Sequence, residues 1–178
     1  MFLSGVGTGS TSDSFNLTTG PTGSAAMAGI LPLSGHVSTP LLVNVASSWN
    51  LYPGYAGIAQ TFAAPVTFTK VSGSMVLTQT EIFIGATVTV QAQLYKLGVL
   101  STGFAQTPVP GAACVFTSNG FNPFVSIAPI GQTASCSSTV SASVNPGESL
   151  FWVVTASATG TSTANITFPI SLSMSIAQ

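Results

Sequence analysis

From Ile166 to Ile176 the chain keeps a period of two. Ile166, Phe168, Ile170, Leu172, Met174 and Ile176 fall on one side, with Asn165, Thr167, Ser171, Ser173 and Ser175 on the other. A helix turns every 3.6 residues and would scatter these side chains around its axis, whereas a pleated strand places them on one face. The same alternation runs through Val88, Val90, Ala92 and Leu94 against Thr87, Thr89, Gln91 and Gln93. Both segments read as half-buried antiparallel strands, apolar inward and polar outward. Further strands are expected over 26–33, 39–47, 56–62, 66–77, 112–118, 123–129, 137–144 and 149–157. Turn chemistry punctuates them at Pro53-Gly54, Ser72-Gly73-Ser74, Pro110-Gly111, Asn119-Gly120, Asn145-Pro146-Gly147 and Thr159-Gly160-Thr161. Roughly eight to ten short strands at this spacing predict an all-β, antiparallel β-sandwich of jelly-roll type.

One stretch breaks the alternation. Leu150-Phe151-Trp152-Val153-Val154 is apolar on both faces, which fits a central strand or a strand lying against a partner. Phe151, Trp152 and Val153 are therefore candidate assembly residues. Residues 1–24 read differently, as a Gly/Ser/Thr-rich irregular leader with one apolar island around Phe15 and Leu17 and a single collagen-like triplet at Gly20-Pro21-Thr22. Residues 25–178 then form the sandwich domain, a length suited to one core. The start of the chain has neither a basic region nor a long apolar run, so it does not read as a conventional signal peptide.

Charge excludes more than it permits. Charged residues make up 3% of the chain, against about 25% in an average domain. They are Asp13, Glu81, Glu148, Lys70 and Lys96, with His36 as the one imidazole. Two lysines cannot neutralise a phosphate backbone, so nucleic acid is not an expected partner. The apolar runs fall short of the roughly 18 residues that a spanning helix needs, so membrane insertion is not expected either. A triad, a carboxylate pair or a metal cage would have to be assembled from these few groups. His36 sits in a loop-like SGHVS context, Asp13 lies in the leader, Glu148 follows a Pro-Gly turn, and Glu81 is placed to pair with Lys70 across a hairpin turning at Gly73. No catalytic site, metal site or cofactor is expected. A surface of Ser, Thr, Asn, Gln and Gly has little net charge to keep molecules apart, which favours self-association.

Three further features remain open at this level. Cys114 and Cys136 fit no zinc or CxxC spacing and are either two small buried hydrophobes or one disulfide closing a 22-residue segment. Trp49, Tyr52 and Tyr55 cluster around Pro53-Gly54 and suit a sugar platform, an interface contact or packing over the end of the sandwich. Asn16-Leu17-Thr18 and Asn165-Ile166-Thr167 match the glycosylation sequon, and Asn165 is expected on the polar face of the last strand.

Several blocks occur in a familiar order. They are QTFAAPVTFTKVSGSMVLT (60–78), ATVTVQAQLYK (86–96), TPVPGAACVF (107–116) and VNPGESLFWVVTASATG (144–160), preceded by FNLTTGPTG (15–23). Over roughly 25–178 the chain resembles the C-terminal domain of collagen-like exosporium glycoproteins of Bacillus-type spores, in particular the BclB-related domain. The resemblance implies a jelly-roll head of TNF/C1q-like type and a structural, self-assembling protein of the spore surface. The implied partners are other copies of itself, as a homotrimer, and other spore-coat or surface proteins. The repeated triplets of such proteins are here a single one, and the cysteine pair is not a family feature. These departures leave room for an extracellular fibre or pilus subunit, whose residues 1–23 would add a strand to a neighbour, with Phe15 and Leu17 as its contacts. A fibre-tip carbohydrate-binding head using Trp49, Tyr52 and Tyr55 is the third reading.

Overall fold

The structure is a computed structural model and describes residues 2–7, 14–33, 35–36, 41–44, 58–82, 85–98, 106–117, 127–128, 130–163 and 165–178. Its described elements are all strands, apart from turns, bends and a 3-10 residue at Ile58. They are β1 (Phe2–Gly7), β2 (Phe15–Thr18), β3 (Met27–Leu31), β4 (Gly35–His36), β5 (Leu41–Asn44), β6 (Gln60–Thr61), β7 (Val66–Leu77), β8 (Glu81–Ile82), β9 (Ala86–Leu97), β10 (Gln106–Thr117), β11 (Ile127–Ala128), β12 (Thr133–Val144), β13 (Ser149–Gly160) and β14 (Thr167–Ala177).

The pairing is that of a long hairpin wrapped on itself. β9 pairs with β10 at its tip, β7 with β12, β3 with β13, and β1 and β2 with β14. Wrapping gives two sheets, β12-β7-β14-β1-β4 and β10-β9-β13-β3-β5, with β2 on β14 and β6 on β13. All described pairings are antiparallel except the short parallel contact of β4 with β1. This is a jelly-roll β-sandwich. β8 and β11 form a separate small ribbon.

The core follows directly from the alternation. Phe168, Ile170, Leu172, Met174 and Ile176 of β14 and Val88, Val90, Ala92 and Leu94 of β9 point inward and are buried, meeting Phe68, Phe116 and Trp152 between the sheets. At about 25 cal/mol per Å² of apolar surface removed from water, this shared layer is the main favourable term of folding. β13 is central, between β9 and β3, which accounts for the apolar run 150–154. Leu150, Trp152 and Val154 face the main core, while Phe151 and Val153 face outward into a second cluster with Ala28, Ile30 and Leu97. Tyr95 stacks on Phe151 there, with ring centroids 5.9 Å apart.

Four expectations change. The stretch read as an irregular leader supplies β1 and β2, which lie end to end along β14. Ser72-Gly73-Ser74 is not a turn but the middle of the twelve-residue β7. Gly73 faces the core there, where a Cβ would press on Met174 and the Phe116 ring, so the glycine marks close packing. Pro110-Gly111 likewise lies inside β10, at a bulge between Pro108 and Ala113 with Gly111 at φ 73°. Asn165 precedes β14 in a turn, with φ 55°, and is not on the strand face. By contrast, Asn145-Pro146-Gly147-Glu148 is a turn. The Glu148 N–H donates to the Asn145 carbonyl at 3.1 Å and Gly147 takes φ 84°, the type II arrangement.

Candidate functional site

With one outer face of the sandwich covered by the Phe151–Val153 cluster, the other is the outward side of β12-β7-β14. The register of these three strands brings three Ser-x-Ser segments side by side. Cys136 lies opposite Gly73, and Met174 lies opposite Gly73 on the other side, all three pointing inward. The flanking serines therefore point outward in two rows, Ser137-Ser72-Ser175 and Ser135-Ser74-Ser173. The rows continue onto β1 as Gly5 and Gly7. Strand spacing of about 4.8 Å and a two-residue repeat of about 6.8 Å set the grid. The Ser72 and Ser175 hydroxyls share a hydrogen bond of 2.8 Å. Ser74, Ser135, Ser137 and Ser173 are exposed. Thr133, Val76 and Ser171 border the grid on one side, and Thr139, Lys70 and Ala177 on the other. Lys70 is the single charge among these residues. The surface is made mostly of short side chains and is nearly uncharged.

The edge strands β10 and β12 close one side of the sandwich. Cys114 and Cys136 are joined in a disulfide there, with Cα atoms 5.5 Å apart, so that the bond ties one sheet to the other. Cys114 is buried in the core. At the β10 bulge, the Gln93 amide donates to the carbonyls of Val109 at 2.9 Å and Ala112 at 3.2 Å, and also to that of Leu94 at 2.9 Å. These bonds replace the ladder contacts that the bulge interrupts.

Near the same edge, the Lys96 ammonium meets the Glu148 carboxylate at 2.9 Å. The second oxygen of Glu148 accepts the Asn145 N–H at 2.7 Å. That backbone bond, assisted by Lys96 and opposed by burial, holds the Glu148 carboxyl below its ordinary value. Glu81, on the β8–β11 ribbon opposite Ala128, is instead pushed up by burial. The two described glutamates thus lie on separate elements with opposite shifts. Among the described residues no group of His, Cys, Asp and Glu is gathered as a metal site would require. Also among them, no helix is long and apolar enough to cross a membrane.

The sequence-derived candidates are distributed as follows. Phe15 and Leu17 are buried, at 5% and 0% exposure, inside the chain's own core. They cannot be presented to a neighbour while β2 pairs with β14. Phe151, Trp152 and Val153 are buried too, at 0%, 0% and 3%, because β13 is central and both of its faces are covered by this same chain. All five are core residues of this chain. Trp49, Tyr52, Tyr55 and Asp13 lie outside the described residues. His36 pairs through its backbone with Gly7. The serine grid was missed because each Ser-x-Ser segment is unremarkable alone; its signal is the recurrence of Ser72-Gly73-Ser74, Ser135-Cys136-Ser137 and Ser173-Met174-Ser175.

No protein-family model matches the chain, and no curated protein matches it. Among solved structures, the chain is similar to the Eiger TNF from S. frugiperda, at 11% identity over 93% of this chain and 93% of that one, with a TM-score of 0.37.

Proposed function

We propose that this chain is a non-catalytic structural protein that self-assembles, as a homotrimer, in the spore exosporium or a related extracellular layer. The observation that carries the self-assembly is the in-register serine grid on β12-β7-β14. Burying a charged face would require desolvating each ion, a cost of several kcal/mol per group when pairing is imperfect. A hydroxyl face avoids that cost. Serine loses little side-chain entropy on burial, and its hydroxyl rotates to donate to or accept from a matching surface. The scarcity of charge over the whole chain supports the same reading, since little repulsion opposes close association. The disulfide suits an oxidising location outside the cytosol. The exosporium assignment and the trimer rest on the resemblance of the blocks at 60–78, 86–96, 107–116 and 144–160 to the exosporium head domain.

The fibre-subunit alternative would require β1 and β2 to leave the edge of β14 that they occupy. No observation favours that rearrangement over the closed one.

Electrophoresis in SDS of unheated and boiled samples tests the assembly. The unheated protein is expected to migrate as an oligomer, and a Ser74→Lys/Ser173→Lys variant, which adds two positive charges per chain to the grid, as a single chain. An unheated wild-type protein migrating as a single chain, or a variant that assembles unchanged, contradicts the proposal. Antibody labelling of intact spores tests the location, and label confined to the cell interior contradicts it.

A further inference from the structure

β10 and β12 face each other along the side of the sandwich that they close, and they are not held alike along their length. Toward one end the Cys114–Cys136 bond draws them together. Toward the other, both strands are irregular, β10 between Pro108 and Ala113 and β12 between Thr139 and Ala142. Between the two irregular segments lies a cleft of about 390 Å³, whose lining includes Lys96, Thr107, Pro108, Pro110, Ser141 and Ser143. The volume is within the range of about 300–1,000 Å³ of small-molecule sites.

We propose that this cleft binds a neutral, hexose-sized carbohydrate unit. Its chemistry is mixed in the way a pyranose is mixed. The Pro108 and Pro110 rings offer apolar surface to a sugar's C–H face, while Thr107 and Ser141 offer hydroxyls that both donate and accept. The Ser143 hydroxyl shares a 3.2 Å hydrogen bond with that of Thr67 and keeps an acceptor lone pair. Lys96 carries three donors and uses one on Glu148, leaving donors for a ligand oxygen. The same ion pair cancels the charge of the site, so the cleft has no net attraction for an anion, and this selects a neutral ligand. An extended peptide is a poorer fit. Proline has no N–H to offer an added strand, and the bulge on the opposite wall breaks the second ladder. This inference is distinct from self-assembly, since none of the six grid serines lines the cleft, although Ser141 lies two residues beyond Thr139 at the border of the grid.

The test is an amide NMR titration of the full chain with glucose, galactose and N-acetylglucosamine, with glucuronate and an extended Ser/Thr peptide as comparisons. At least one neutral sugar is expected to shift the amides of Thr107, Val109, Ser141 and Ser143 saturably at millimolar concentration. Ser141 is exposed, so Ser141→Phe fills the cleft from outside and is expected to weaken that binding at least tenfold with an unchanged melting temperature. Lys96→Arg, which keeps the donors, is expected to bind within a few-fold of wild type. Absence of shifts with all three neutral sugars would overturn the proposal. So would shifts with glucuronate or the peptide alone, or a Ser141→Phe variant that folds and binds as well as wild type.

Discussion

Cys114 and Cys136 are 22 residues apart in the chain and join the edges of two different sheets. Sequence spacing allowed either two thiols or one bond, because the proximity of β10 and β12 is a property of the wrapped hairpin. Closing a segment of this length stabilises by about 3 kcal/mol in the loop-entropy account. A Cys114→Ala/Cys136→Ala variant is therefore expected to melt roughly 6–12 °C lower than wild type, as differential scanning calorimetry would measure. An unchanged melting temperature would mean that the two edges are held by packing alone. Glu148 makes a second residue-level case. Its carboxyl is lowered first by the Asn145 N–H and then by Lys96, against the opposing effect of burial. A lowered folded-state value means that the ionised form favours folding. This contribution is complete above the ordinary glutamate value near 4.5 and is lost as pH falls from there through the folded value. Wild type should thus lose more stability than Glu148→Gln between neutral pH and pH 3 in denaturant titrations. Equal losses in the two proteins would remove Glu148 from the account.

At the scale of elements, alternation was legible wherever a strand is long and covered on one side. β9, β13 and β14 were expected close to where they lie, and β7 over its full range but broken by a turn at Gly73 that does not form. β2 was not, because Phe15-Asn16-Leu17-Thr18 is a four-residue alternation within a Gly/Ser/Thr background, too brief to establish a period. Its importance is nonetheless large, since Phe15 and Leu17 are core residues. Core truncations to alanine cost about 2–5 kcal/mol each, a large share of a typical total of about 5–15. A chain lacking residues 1–18 is expected to show no cooperative melting transition by circular dichroism. A truncated chain that melts like wild type would show that β1 and β2 are dispensable. The β10 bulge was misread as a turn because Pro110-Gly111 has turn composition. What makes it a bulge is Gln93 on the neighbouring strand, whose amide reaches the Val109 and Ala112 carbonyls. Gln93→Ala leaves those carbonyls without their partner, at a cost of about 1–3 kcal/mol, and should accelerate amide hydrogen exchange across Gln106–Ala113. Exchange confined to its wild-type rate would refute the bridging role.

For the whole molecule, fold class followed from patterning, while the candidate surface did not. Periodicity says which side of each strand is apolar, and that suffices for a sandwich. It does not give register between strands distant in sequence. The alignment of Ser72, Ser74, Ser135, Ser137, Ser173 and Ser175 depends on β7 lying between β12 and β14, a consequence of the jelly-roll wrapping. The same wrapping buries the residues that composition alone offered for assembly. Phe151 and Val153 are apolar on the outer side of a central strand, and their partners are Ala28, Ile30 and Leu97 of this chain. With that face satisfied internally, the hydroxyl face is where we place the proposed association. Native mass spectrometry of the oxidised protein at micromolar concentration tests this most directly. The account predicts one species near 54 kDa, three chains of 17.9 kDa, and a folded species at 17.9 kDa alone would contradict it.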